Sequence, residues 1–300
     1  MPLTVWSSAR YTFPLPPGHR FPVEKYAMLR DSVVAQGIVA PERVVDPDAA
    51  TDAVLRLVHT EDYVRRFVDG RLTAAEERRL GFPWSPALVE RSRRAVGGTI
   101  AAARHALAQG TAMNLAGGTH HAFPDHGEGF CVFNDVAIAI RLLKSERRIR
   151  RAAVIDLDVH QGNGTNAIFA GDPDVYTFSM HGGKNYPFDK VAGTRDVELP
   201  DGTGDDEYLT ELARALPVVL RDAQPDLVFY LAGADPHEGD RLGRMRLTFD
   251  GLRRRDAMVL DASRDVGLPV AVVIAGGYGR NIADTVAIHV DTVRILASFR

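Results

Sequence analysis

The runs Ala152–Ile155, Leu227–Leu231 and Pro269–Ile274 are unbroken apolar stretches with no alternation of polar residues. Segments this short and this uniformly apolar fit strands covered on both faces. Between and around them, apolar residues recur at helical spacing. Leu88, Ala95, Val96, Ile100, Ala103 and Leu107 follow Ser85-Pro86, and Leu209, Leu212, Leu216 and Leu220 follow Asp205-Asp206. Val286, Val290, Val293 and Leu296 do the same in the final stretch, Ile282 to Leu296. Alternating helices and two-faced strands specify an α/β fold: a central parallel sheet flanked by helices on both faces. No linker, low-complexity segment or repeat interrupts the pattern, so a single domain over residues 1–300 is expected.

The remaining elements follow from local signals. Leu3–Trp6 reads as a first strand, Val23–Gln36 as a helix closed by Gly37, and Asp52–Phe67 as another helix. Ser85 is an N-cap with proline at the first helical position, and Gly110 closes that helix, whose arginines are expected to form a solvated face. Strands are expected at Ala112–Leu115, Asp174–Ser179 and Val197–Leu199. Asn134 and Asp135 open a helix, Asp205 and Asp206 cap one kinked near Pro217, and Asp250 opens another that ends about Gly267.

Composition excludes several classes of function. The chain has 45% hydrophobic and 25% charged residues with a formal net charge of −3, so nothing draws it globally to nucleic acid or anionic membranes. The basic stretch Lys144 to Arg151 is placed where cations complement a helix C-terminus. The sole cysteine, Cys131, rules out an internal disulfide and fits a reducing compartment. Met1 to Phe21 lacks a signal-peptide apolar region, and no run reaches the roughly 18 apolar residues of a membrane span. The chain reads as cytoplasmic.

Four strands end in small-residue turns followed by reactive groups: His120-His121, Asp156 to Asn163, Asp235 and Tyr278. In open parallel sheets, sites form in the crevice at the carboxyl ends of strands, so these clusters are expected to converge. Asp156, Asp158 and His160 alternate along an extended segment and point the same way. Two carboxylates and an imidazole grouped together call for a cation; alone, the segment could equally be an Asp-rich turn. Asp158, His160 and Asp235 could supply three ligands and leave one position open, with Zn²⁺ the first choice and Fe²⁺ also suited. Water on such a metal is a nucleophile near neutral pH. His120 and His121 suit proton transfer, and Tyr278 can donate to a developing oxyanion. Together they make a kit for hydrolysing an amide or ester.

At these residues the chain resembles the zinc-dependent histone deacetylase family, within the arginase–deacetylase fold. The resemblance is carried by Gly117-Gly118-Thr119-His120-His121-Ala122, Gly129 to Asp135, Asp156 to Gly164, Ala232 to Gly243, and Gly276-Gly277-Tyr278-Gly279. Gln161 to Gly164 and Glu238 to Gly243 are most similar to the class IV deacetylases and bacterial deacetylase-like amidohydrolases. The resemblance implies zinc held by Asp158, His160 and Asp235 at the base of a narrow tunnel. It makes His121 the general base and then acid, paired with Asn163, and His120 an electrostatic aid oriented by Asp156. Tyr278 would polarise the substrate carbonyl, while Gly129, Phe130 and Tyr186 would line the tunnel. A structural K⁺ would lie among the backbone carbonyls of Asp156, Asp158, His160 and Met180, with the Ser179 hydroxyl. Asn163 stands where class I enzymes often carry aspartate, and Cys131 reads as tunnel support, not a nucleophile.

Arginase-type enzymes of the same fold use two metals. They need carboxylates two residues after the ligand histidine and after the second ligand aspartate, where this chain has Gly162 and His237. A non-catalytic binding module is the other alternative, although no element of the kit is missing. The expected substrate is an acyl-lysine protein or peptide. An acetyl-polyamine or another small acyl-amide is the runner-up, with Glu238 a candidate acidic contact. No long insertion resembles the occluding loop that acetyl-polyamine members add.

Overall fold

The computed structural model describes residues 2–298. Its strands are β1 (Val5–Trp6), β2 (Val44–Val45), β3 (Thr111–Asn114), β4 (Ala152–Asp156), β5 (Val175–Gly182), β6 (Arg195–Leu199), β7 (Leu227–Ala232) and β8 (Val270–Ile274). All pair in parallel, in the order β2-β1-β3-β8-β7-β4-β5-β6. Every residue of β4, β7 and β8 is buried, as expected of strands covered on both faces. Each Val, Leu, Ile or Phe so placed contributes about 1.5–3 kcal/mol of transfer free energy. The registers bring Asp156 opposite Leu231 and Ala232 opposite Ile274, so β4, β7 and β8 end together, while β5, with Ser179 opposite Asp156, runs on to Gly182.

The helices are α1 (Lys25–Ala35), α2 (Asp52–Leu55), α3 (Glu61–Val68), α4 (Ala74–Leu80), α5 (Pro86–Gln109), α6 (Asp135–Ser145), α7 (Asn163–Ile168), α8 (Asp205–Ala223), α9 (Phe249–Asp265) and α10 (Ile282–Ser298). α5 packs on β1, β3 and β8, with α6 beside it. α8, α9, α10 and α1 form a second connected layer over β5, β4, β7 and β3. No helix among the described residues is long and apolar enough to cross a membrane.

Several expectations need correction. The segment 52–67 is two helices. Thr60 starts the second by accepting from Tyr63 N at 3.3 Å, and the intervening turn delivers His59 to the core. α4 went unpredicted because it carries no apolar stripe; a capping box between Thr73 and Glu76 starts it. The N-cap of α8 is Gly204; Asp205 instead accepts from Thr248 N at 2.9 Å. Thr248, not Asp250, caps α9. The arginines of α5 are not all solvated: Arg91 is buried, donates to Tyr26 Oη at 2.8 Å and stacks on Phe13, Phe21 and Tyr26.

Candidate active site

The four reactive strand ends belong to β3, β8, β7 and β4, which are consecutive neighbours in the sheet. Their turns therefore open side by side at one edge. His120, His121, Asp156, Asp158, His160, Asn163, Asp235 and Tyr278 are all buried there.

Asp158, His160 and Asp235 each bring a ligand atom within 4.8 Å of the others'. The backbone fixes both carboxylates. Asp158 accepts from His160 N at 2.9 Å and from Gly276 N at 2.6 Å, and Asp235 Oδ1 accepts from Val159 N at 2.9 Å. Asp235 Oδ2 is buried without a hydrogen bond, 3.2 Å from His160 Nδ1. An unmated carboxylate oxygen facing a second carboxylate and an imidazole fits a divalent cation. Burial, reinforced by the charge of Asp158, pushes the Asp235 carboxyl up, the expected behaviour of a crowded anionic pair. Gly276 is required: a Cβ there would collide with Asp235 Oδ2. Gly162 faces Asp156 Oδ2, which a Cβ would meet at 2.5 Å, so the position of the second arginase-type ligand has no room for a carboxylate.

The two histidines are placed in different electrical environments. His120 Nδ1 donates to Asp156 Oδ2 at 2.6 Å; burial opposes its charge, but Asp156 and Asp158 outweigh this and hold it above the ordinary range. His121 Nδ1 donates to the neutral Asn163 Oδ1 at 2.7 Å. Burial and the neighbouring His120 and His160 depress it well below 6.5, which keeps it neutral. Tyr278 is also neutral, its phenol raised by burial and by Asp158.

A tunnel wall forms where Gly129 and Phe130 turn over the C-terminus of α4. Gly129 N and Phe130 N donate to the carbonyls of Arg79 and Leu80 at 3.2 and 2.8 Å. Gly129 has φ +56°, and a Cβ there would meet His121 Cδ2 at 2.7 Å. The Phe130 ring packs against Phe21, Phe82 and Tyr278 at 5.3–5.8 Å. Tyr186 faces His121 at 5.1 Å from the opposite side. Gly129, Phe130, Tyr186, His121, His160 and Tyr278 line one cavity of about 660 Å³. Cys131 is buried with its Sγ 3.6 Å from Gly129 O, and burial pushes its thiol up, away from nucleophilic form. Ser179 and Met180 lie within β5, with Ser179 beside Asp156, and the Ser179 hydroxyl also contacts His181 Nδ1 at 2.9 Å.

Sequence reasoning missed the supports. Asp135 accepts from Gly118 N at 3.2 Å and Thr119 N at 2.8 Å, fixing the turn before the histidine pair. His59 donates to Phe123 O at 2.9 Å and accepts from Asn134 N at 3.0 Å, tying that loop to α6. Asp240 accepts from Tyr278 N at 2.6 Å. Two buried cations hold carbonyls at the strand ends. Lys25 Nζ reaches Ala275 O and Gly277 O at 3.3 and 3.4 Å, and Arg255 reaches Leu157 O and Gly233 O at 3.3 and 2.5 Å. Nothing local in the sequence marks these partners, which lie up to 252 residues away.

A parallel sheet whose adjacent strand ends gather an Asp-His-Asp cluster, two histidines and a tyrosine in a tunnel defines a hydrolase of the deacetylase type. The histone deacetylase domain model matches residues 19–293. Histone deacetylase 2 of Arabidopsis thaliana is 34% identical over 284 residues, covering 92% of this chain and 73% of its own. The histone deacetylase-like amidohydrolase of Pseudomonas aeruginosa is 34% identical over 283 residues, covering 88% and 74%. The crystal structure of an HDAC homolog from Aquifex aeolicus superposes with a TM-score of 0.88 at 23% identity, covering 100% of this chain and 85% of that one. The chain belongs to the histone deacetylase family, and it is an enzyme of that hydrolase family.

Proposed function

We propose that residues 1–300 form one cytoplasmic catalytic domain that hydrolyses an acyl-amide, removing acetyl or longer acyl groups from lysine side chains. The observation that carries this reading is the division of labour between the histidines: His120 donates Nδ1 to the Asp156 carboxylate, whereas His121 donates Nδ1 to the neutral Asn163 amide and is kept neutral by burial and by the neighbouring His120 and His160. Asp158, His160 and Asp235 would hold Zn²⁺, with Fe²⁺ compatible with the same donors. That ion supplies Lewis acidity toward water and the acyl carbonyl.

The chain's own groups do the rest. Neutral His121 takes a proton from water at Nε2 and returns it to the departing amine. His120, fixed by Asp156, contributes positive charge close to the reacting centre. Tyr278 donates its hydroxyl to the oxygen that becomes anionic. Gly129, Phe130 and Tyr186 exclude water around the acyl chain. Potassium among Asp156, Asp158, His160, Ser179 and Met180 remains part of the proposal, supported by the pairing of Asp156, at the end of β4, with Ser179 of β5. The test is kcat/KM of the zinc-loaded protein on acetyl- and longer acyl-lysine peptides. A folded, loaded protein that binds them without turnover would instead be a binding module.

A further inference from the structure

The cavity above the tunnel is lined by five cationic side chains, Arg20, Arg78, Arg79, Lys184 and Arg244, and by no carboxylate. The chain as a whole carries 39 acidic and 36 basic residues, so the sign of this mouth is not the sign of the protein. All five are exposed. Among the described residues only Arg244 has a carboxylate partner, Asp201 at 3.3 Å. Elsewhere exposed arginines are commonly paired, as Arg65 is with Asp62, Arg71 with Asp69 and Arg214 with Glu211.

Arg78 and Arg79 occupy the last turn of α4, where cations favour the helix end. That account does not extend to Arg20 and Lys184, which come from loops before α1 and after β5. Phe188 also stands on this lip, 81% exposed and 6.2 Å from the Tyr186 ring, where it offers a contact to a substrate body outside the tunnel.

We propose that the substrate of this site carries carboxylates beside its acyl-amide, and that Arg20 and Lys184 select it by charge. This rests on the deacylase reading above. A cleft lined by one sign of charge raises the local concentration and association rate of the opposite sign by about 10- to 1,000-fold. The same field repels acetyl-polyamines, whose free amines are cationic at neutral pH. Glu238, the acidic contact such a substrate would use, is exposed and is not part of the lining.

The carboxylates could come from acidic residues flanking an acyl-lysine or from a small carboxylated amide, and one experiment separates these. The zinc-loaded protein is given acetyl-lysine peptides of one length with aspartate, glycine or lysine flanks, together with 6-acetamidohexanoate and acetylputrescine. We expect kcat/KM to fall from aspartate to glycine to lysine flanks by about tenfold or more overall. The spread should shrink between about 50 and 300 mM salt, as screening shortens the reach of the rim charges. Arg20→Glu combined with Lys184→Glu should reverse the order. A lead for the aspartate-flanked peptide assigns the charge to polypeptide, and a lead for 6-acetamidohexanoate assigns it to a small molecule; either supports the proposal. Equal rates on the three peptides without a lead for 6-acetamidohexanoate, or a lead for the lysine-flanked peptide or acetylputrescine, overturns it. Anisotropy of the labelled peptides reads binding separately. Salt-sensitive binding of the acidic peptide without hydrolysis keeps the charge selection and removes the deacylase reading, whereas neither binding nor hydrolysis removes both.

Discussion

Glu128 accepts a 2.7 Å hydrogen bond from the side-chain amide of Asn163. A carboxylate can only accept, so it fixes which way the amide points: nitrogen toward Glu128, oxygen toward His121 Nδ1 at 2.7 Å. His121 Nδ1 must then carry the hydrogen, and Nε2 keeps the lone pair that a general base needs. Glu128→Ala should lower kcat about 10-fold with KM little changed, the scale on which outer partners tune a site. Glu128→Gln, which can still accept from Asn163, should retain most of the rate. Steady-state kinetics on one acetyl-lysine peptide compares the two.

Tyr278→Phe removes a hydroxyl at the tunnel base and nothing from the backbone bond to Asp240. Turnover should fall roughly 10²- to 10³-fold with an unchanged unfolding midpoint. An unaltered kcat would take Tyr278 out of the reaction.

His59 gives stability a pH dependence of definite sign. Burial holds its pKa down at about 4, against 6.5 for the free side chain, because Nε2 must accept from Asn134 N and stay unprotonated. A depressed histidine contributes fully above pH 6.5 and is lost as pH falls toward 4. The loss amounts to about 3 kcal/mol. Urea unfolding at pH 7, 5 and 4 measures it, and His59→Gln, which does not titrate, should flatten this portion of the curve.

Arg255 is fully buried against Asp256, and its guanidinium supports the carbonyls of Leu157 and Gly233. Arg255→Leu leaves Asp256 unpaired and both strand ends short of a donor. It should cost about 3–5 kcal/mol in denaturant unfolding. A loss below about 1 kcal/mol would show that Tyr230 and Thr292, which also donate to Asp256, satisfy it alone.

The features readable from sequence are those written locally. Uniformly apolar strands announced the parallel sheet, and glycine turns beside Asp158, His160, Asp235 and Tyr278 announced where chemistry would gather. Features assembled across the chain were not readable. The break after Leu55 depends on Thr60 capping a new helix and on His59 finding Phe123 and Asn134. The α4 helix is polar and held by its caps, so periodicity could not reveal it, yet its last carbonyls anchor Gly129 and Phe130. Arg91 reads as a solvated charge, nothing local singles out Lys25 or Arg255, and only the folded neighbourhood shows what they support. The cationic mouth draws on four separate segments whose local charges are unremarkable.

One divalent ion, held by Asp158, His160 and Asp235, is proposed to drive amide hydrolysis. Titrating Zn²⁺ into metal-stripped protein while following deacetylation of an acetyl-lysine peptide tests it most directly. Activity should be absent at the start, rise with bound zinc and saturate at one ion per chain, and His160→Ala should remain inactive throughout. Full activity in the stripped protein, or in stripped His160→Ala, would contradict the account.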